Sequence, residues 1–214
     1  LLYLYRTTVV VLAIPELDLG VPGQPSDRRT SIVDAAIHLL AQPPSRGLTH
    51  RAVDRFLELP AGSTANYFST RASLLHACGE RIVALDLREV AALPDFRPQM
   101  TTEQAGRLAA AWLTAWATGA ARDRQRARYA LLLEATHPSP LIDLLTRFRE
   151  GFTDMVADKL RAIECSEPER RAAAFIASFD GLLIDQILYP HSGLDSEQIA
   201  EHLTDLLRHT TGNH

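Results

Sequence analysis

From position 27 onward, apolar residues recur at three- and four-residue spacings, and no stretch shows the strict alternation of a half-buried strand. The pattern predicts an all-α chain. A first helix is expected over about 27–41, with Ile32, Ala35, Ala36, Leu39 and Leu40 on one face, Ser26 as its cap and Pro43-Pro44 as its stop. A short second helix follows Thr49 and buries Ala52, Val53 and Phe56, and a third starts near Pro60. The fourth, about 71–92, aligns Leu74, Leu75, Cys78, Ile82 and Leu85 before Pro94 and Pro98 break the chain. Beyond the break, Thr101-Thr-Glu-Gln104, Ser166-Glu-Pro-Glu169 and the similar Asp195-Ser-Glu-Gln198 have the form of capping boxes, and Ser139-Pro140 places a cap before a helix-opening proline. These signals predict helices at about 102–118, 121–136, 140–163, 167–189 and 196–209. The expected fold is therefore about nine helices: a three-helix N-terminal head and an antiparallel C-terminal helical bundle.

The first 25 residues differ from the rest. Leu1–Ile14 is apolar but interrupted by Arg6, shorter than the ~20 residues of a membrane span, and without the basic start of a signal peptide. Pro15 to Pro25 is rich in Pro and Gly and reads as a linker. The domain reading is an extension and linker over 1–25, a small head over 26–76 and a larger helical bundle over 77–214, with helix 71–92 joining the last two.

Charge changes the picture only when localised. The chain of 214 residues has a net charge of −4. Ser26 to His76 holds six arginines against four acids, a balance of +2, so the rest carries −6. A weakly basic end on an acidic body fits a nucleic-acid reader with a separate second region. Cys78 and Cys165 lie far apart in apolar surroundings and read as reduced, buried thiols of a cytoplasmic protein.

Gly47 to Arg71 carries the most specific chemistry. Two short helical patterns around a turn at Glu58-Leu59 are the parts of a helix-turn-helix, in which one helix crosses the DNA backbone and the next enters the major groove. Gly47-Leu48-Thr49, Arg51, Val53, Gly62, Tyr67-Phe68, and Arg71 followed by Leu74-Leu75 make residues 27–90 resemble the DNA-binding domain of the TetR family of bacterial repressors. Four positions depart from that family: Leu57-Glu58 replaces the usual Ala-Gly at the turn, Ala65 stands where a tyrosine is frequent, and Arg71 replaces a lysine. The small or polar Ala61, Gly62, Ser63, Thr64 and Asn66 are the expected groove-facing residues. Thr49, His50, Arg51, Tyr67 and Arg71 are the expected backbone clamps, and Phe68 is expected to close the small core.

In the bundle, Trp112 and Trp116 fall on one helical face, and Tyr129, Leu133, Phe148, Phe152, Phe175 and Phe179 extend an aromatic and apolar set over the next helices. Such a set reads as core or as the lining of an apolar cavity; the resemblance implies an effector pocket there. Tyr129, Glu134, His137 and Asp180 are available for its polar contacts. Phe175, Phe179 and Leu182 form one stripe and Ile176, Leu183 and Ile187 a second, and Ile199, Leu203, Leu206 and Leu207 also need a partner surface. Two stripes predict a homodimer, which would set two reading heads on a near-palindromic operator.

No G-x-S-x-G, H-E-x-x-H, glycine-rich phosphate loop or C-x-x-C is present, and the eight histidines form no ligand-spaced cluster. No catalytic residue, cofactor or metal is expected. The resulting expectation is a ligand-responsive regulator, a repressor released from double-stranded operator DNA by a small apolar or aromatic effector. The alternatives are a helical adaptor with a vestigial DNA domain or, from another class, a helical enzyme.

Overall fold

The computed structural model describes residues 27–42, 48–91, 100–135, 139–162, 165–189 and 194–208. Among these, nine helices and no strands occur: α1 Arg28–Ala41, α2 His50–Phe56, α3 Ser63–Tyr67, α4 Arg71–Ala91, α5 Thr102–Trp116, α6 Gly119–Glu134, α7 Pro140–Ala162, α8 Pro168–Leu188 and α9 Ser196–Arg208. No described helix is long and apolar enough to cross a membrane. The expectations for 1–25, Ser26, Pro43-Pro44, Gly47, Pro94, Pro98 and His137 lie outside the described residues.

By contact the described residues form two compact units, one of those up to 91 and those of 123–148, the other of the remainder. In the first, the cap of α1 lies one residue beyond the expected Ser26: Asp27 accepts a hydrogen bond from the Thr30 N–H at 2.7 Å. Ile32, Val33, Ala35, Ala36, Ile37 and Leu40 of α1 meet Leu74, Cys78 and Ile82 of α4 in one core. Thr49 caps α2 as expected, accepting from the Ala52 N–H at 3.1 Å, and Val53 is buried. Phe56 is not part of this core; it is 49% exposed, its ring 5.1 Å from that of His38. Thr70 and Ser73 cap α4 reciprocally, each hydroxyl accepting from the other's backbone N–H.

α6 is tied to α4 by a buried polar cluster. Arg124 donates to buried Asp86 at 2.6 Å and to Glu89 at 2.5 Å, and the Gln125 amide adds a bond to Asp86 at 2.9 Å. Burial pushes the Asp86 carboxyl up, against the pull of Arg128 and Arg124. Cys78 is fully buried and its thiol is pushed far up by the same desolvation, so it is chemically inert.

In the second unit α5 packs most extensively on α9. The small residues Ala105, Gly106, Ala109 and Ala110 let α9 approach closely, and Ile199, Leu203 and Leu207 are buried. The capping boxes Thr101/Gln104 and Asp195/Gln198 form with both reciprocal bonds. Ser139 accepts from the Ile142 N–H at 3.3 Å at the start of α7. The Ser166–Glu169 box does not form. Glu167 takes the N-cap position at φ +54 without a side-chain cap bond, and its carboxylate pairs with Arg170 instead. Arg208 reaches across from α9 and holds Glu103 down at about 2.

The stripes expected to need a second copy are largely covered within the chain. Phe175, Ile176, Phe179, Leu183 and Ile187 of α8 are buried, as are three of the four α9 residues. What α8 leaves open is a different line: Ala173, Ala177, Gly181, Ile184 and Leu188, the last two 37% and 58% exposed.

Candidate DNA interface and effector site

The reading head is organised by one buried carboxylate. Asp54, 3% exposed in α2, accepts from the Gly62 N–H at 2.8 Å, the Thr64 N–H at 2.8 Å and the Thr64 hydroxyl at 2.6 Å. Burial alone would raise its pKa, but these bonds, with a smaller pull from His50, outweigh desolvation and hold it below the usual carboxylate range. The donors would otherwise be orphans of a helix start. α3 therefore begins at Ser63, not near Pro60, with Gly62 left-handed at φ +91 and no side-chain cap of its own. The turn between the helices uses Glu58 at φ +54, the role glycine would fill.

This cap reassigns one expected reader. Thr64 is fully buried with its hydroxyl on Asp54, so it shapes α3 from beneath and presents nothing to solvent. Ala61, Gly62, Asn66 and Tyr67 are exposed and Ser63 half-buried; the Ser63 hydroxyl donates to the Pro60 carbonyl at 2.6 Å. Arg51 and Thr49 are exposed at the start of α2. The His50 Nε2 lies 2.7 Å from the Phe68 carbonyl oxygen, tying α2 to the end of α3. Phe68 is buried, with the Arg29 guanidinium 4.9 Å over its ring.

Arg71, the first residue of α4, donates through Nε to the Leu48 carbonyl at 3.4 Å and through a terminal nitrogen to Glu134 at 2.5 Å. Glu134, expected among the polar groups of an effector pocket, is thus part of the reading head's electrostatics. Sequence reasoning passed over Asp54 and assigned Glu134 to a pocket, not to Arg71. Their partners lie 10 and 63 positions away, and no local spacing marks them.

In the second unit Trp112 and Trp116 meet edge to face at 4.8 Å, Phe152 stacks on Trp112 at 5.4 Å, and Phe179 lies 5.3 Å from Trp112. The Trp112 indole N–H is buried with no hydrogen-bond partner. Phe175 is also buried in this unit and borders a shallow α8–α9 groove of about 350 Å³ with Arg170, Arg171 and His202. Asp180 pairs with Arg149. Tyr129, Leu133 and Phe148 belong to the first unit. Leu133 is 79% exposed, which corrects its expected place in a cavity wall, because it falls on the solvent side of α6. No metal-holding group of His, Cys, Asp and Glu occurs among the described residues.

Residues 100–213 match the family model described as "Tetracyclin repressor-like, C-terminal domain". A TetR-family member from Streptomyces coelicolor A3 is 30% identical, covers 85% of this chain and 98% of its own, and superposes with a TM-score of 0.65. The multidrug binding protein EbrR, solved with ethidium, is 29% identical over 84% of this chain and 98% of its own, at a TM-score of 0.65. A transcriptional regulator from Rhodococcus sp. Rha1 shares the fold, with a TM-score of 0.74 at 18% identity over 86% of this chain and 96% of its own. No curated protein matches the sequence.

Proposed function

Because the chain belongs to the TetR family of transcriptional regulators, we propose that its α2–α3 head reads operator DNA and that its aromatic cluster receives the effector. One observation carries the first half. Asp54 fixes a five-residue helix that presents Ser63, Asn66 and Tyr67, with Gly62 and Ala61 small enough for close approach to bases. Asn66 is suited to bidentate contact with adenine, and Tyr67, Arg51 and Arg71 to phosphates that set the register. Thr49 serves as a cap and, being exposed, as a second phosphate donor; His50 positions the end of α3.

Two such heads are brought together by a homodimer formed through the open α8 line of Ala173, Ala177, Gly181, Ile184 and Leu188. Small residues beside exposed Ile and Leu suit close helix packing, and two-fold symmetry matches a near-palindromic operator.

For the effector, the proposed receptor is the Trp112, Trp116, Phe152 and Phe179 cluster, with the unsatisfied Trp112 N–H as its polar handle. Faces of this kind favour aromatic and cationic molecules. The complexes of EbrR with ethidium, malachite green and proflavin support an aromatic cation as the class. An effector shifts the regulator only by its differential affinity for the DNA-competent and released states. The test is titration of a DNA-bound sample with malachite green while tryptophan emission and DNA anisotropy are followed together. Quenching with DNA release is expected, and release that survives Trp112→Ala with Trp116→Ala would place the receptor elsewhere.

A further inference from the structure

Arg71 is held in this structure by a carboxylate, an oxyanion as a phosphate is. The guanidinium meets Glu134 at 2.5 Å, with side chains 43% and 21% exposed respectively. The second carboxylate oxygen, Glu134 Oε1, is buried and has no hydrogen-bond partner. The pair is thus unequal: Arg71 faces solvent and has another acceptor in the Leu48 carbonyl, whereas Glu134 has one partner for a mostly buried charge. α6 cannot simply swing away from α4, because Arg124 ties the two helices again at Asp86 and Glu89.

We propose that Glu134 is an internal competitor of the DNA backbone, occupying Arg71 so that duplex binding proceeds by exchange of this carboxylate for a phosphate. The proposal rests on the reading of Arg71 as a phosphate contact. Carboxylate and phosphate oxygens suit the same guanidinium fork. When Arg71 turns to DNA, Glu134 is left as a partly buried charge without its cation, which opposes binding. The contact therefore sets a ceiling on affinity for any sequence, and it acts on the backbone term without altering base preference.

The test is fluorescence anisotropy of the full chain on a duplex from upstream of its gene and on an unrelated duplex of equal length. Glu134→Gln, Arg71→Ala and the double variant are compared with wild type, with circular dichroism to verify helix content. Glu134→Gln is expected to tighten both duplexes by about threefold or more, a gain on the scale of one partly exposed ion pair, and to change nothing when Arg71 is already alanine. Unchanged or weaker binding by a folded Glu134→Gln protein overturns the competition; Glu134→Ala serves if the glutamine variant loses helix. Equal tightening in both Arg71 backgrounds also overturns it, since that is plain repulsion between an acid and DNA. Arg71→Ala without effect removes the phosphate-contact reading and the competition together. Arg71→Ala weakening with Glu134→Gln neutral removes the competition alone.

Discussion

Asp54 caps a helix to which it does not belong: its carboxylate takes the Thr64 hydroxyl at 2.6 Å and the Thr64 N–H at 2.8 Å, ten residues ahead on α3. A five-residue helix has little stability of its own, because nucleation costs more than so few bonds return. The angle and start of the reading helix are therefore set from α2. Asp54→Ala orphans buried donors, each costing about 1–3 kcal/mol. The expected result is a loss of about 3 kcal/mol in urea unfolding and of most DNA affinity; a variant with unchanged midpoint and unchanged binding would remove Asp54 from this role.

The same carboxyl makes stability fall in acid. Its folded pKa lies below the unfolded value of about 3.9, so its contribution is complete above about pH 4 and is lost as pH falls through the depressed native value. Asp54→Asn does not titrate and should flatten the unfolding free energy against pH over that acid range. A wild-type-like slope in Asp54→Asn would show that other groups dominate.

Glu58 occupies the left-handed region at φ +54 in the helix-turn-helix turn. Glycine adopts that conformation without the Cβ conflict, at some cost in unfolded-chain entropy. Glu58→Gly should raise stability by about 0.5–1 kcal/mol, read as a higher denaturant midpoint at unchanged m-value. A lower midpoint would mean that the glutamate side chain contributes more than its backbone costs.

The α5–α9 pair depends on the missing side chain of Gly106. A Cβ there would lie 2.0 Å from the Thr204 hydroxyl oxygen, 2.9 Å from the Thr204 nitrogen and 3.0 Å from the Ala200 carbonyl oxygen. The hydroxyl can rotate aside, but the two backbone atoms move only with the helix. Gly106→Ala should therefore destabilise by about 1–3 kcal/mol despite alanine's better helix propensity. A more stable Gly106→Ala protein would contradict the close approach.

Much of the architecture was legible because its signals are local. Thr101 and Gln104, Asp195 and Gln198, and Ser139 before Pro140 announce helix starts within four residues, and each formed. Periodicity separated the helices well but not their partners. Ile199, Leu203 and Leu207 read as a surface awaiting a second copy, yet α5 covers them, because a stripe shows that a face is buried and not what buries it. Glu167 defeated the expected box by pairing with Arg170. In the reading head, the residue types of Asn66, Tyr67 and Arg71 were visible, whereas the burial of Thr64 and the roles of Asp54 and Glu134 depend on contacts between helices.

The central claim, that α2–α3 with Arg71 reads DNA, is met most directly by anisotropy of a labelled duplex from upstream of the gene, titrated with protein over a range of salt. Wild type should bind with an affinity falling steeply and linearly in log salt. Arg71→Ala should bind more weakly to this and to unrelated DNA, with a slope shallower by about 0.9 for each lost phosphate contact. Absence of binding to any fragment, or an Arg71→Ala protein with wild-type affinity and slope, would contradict the account.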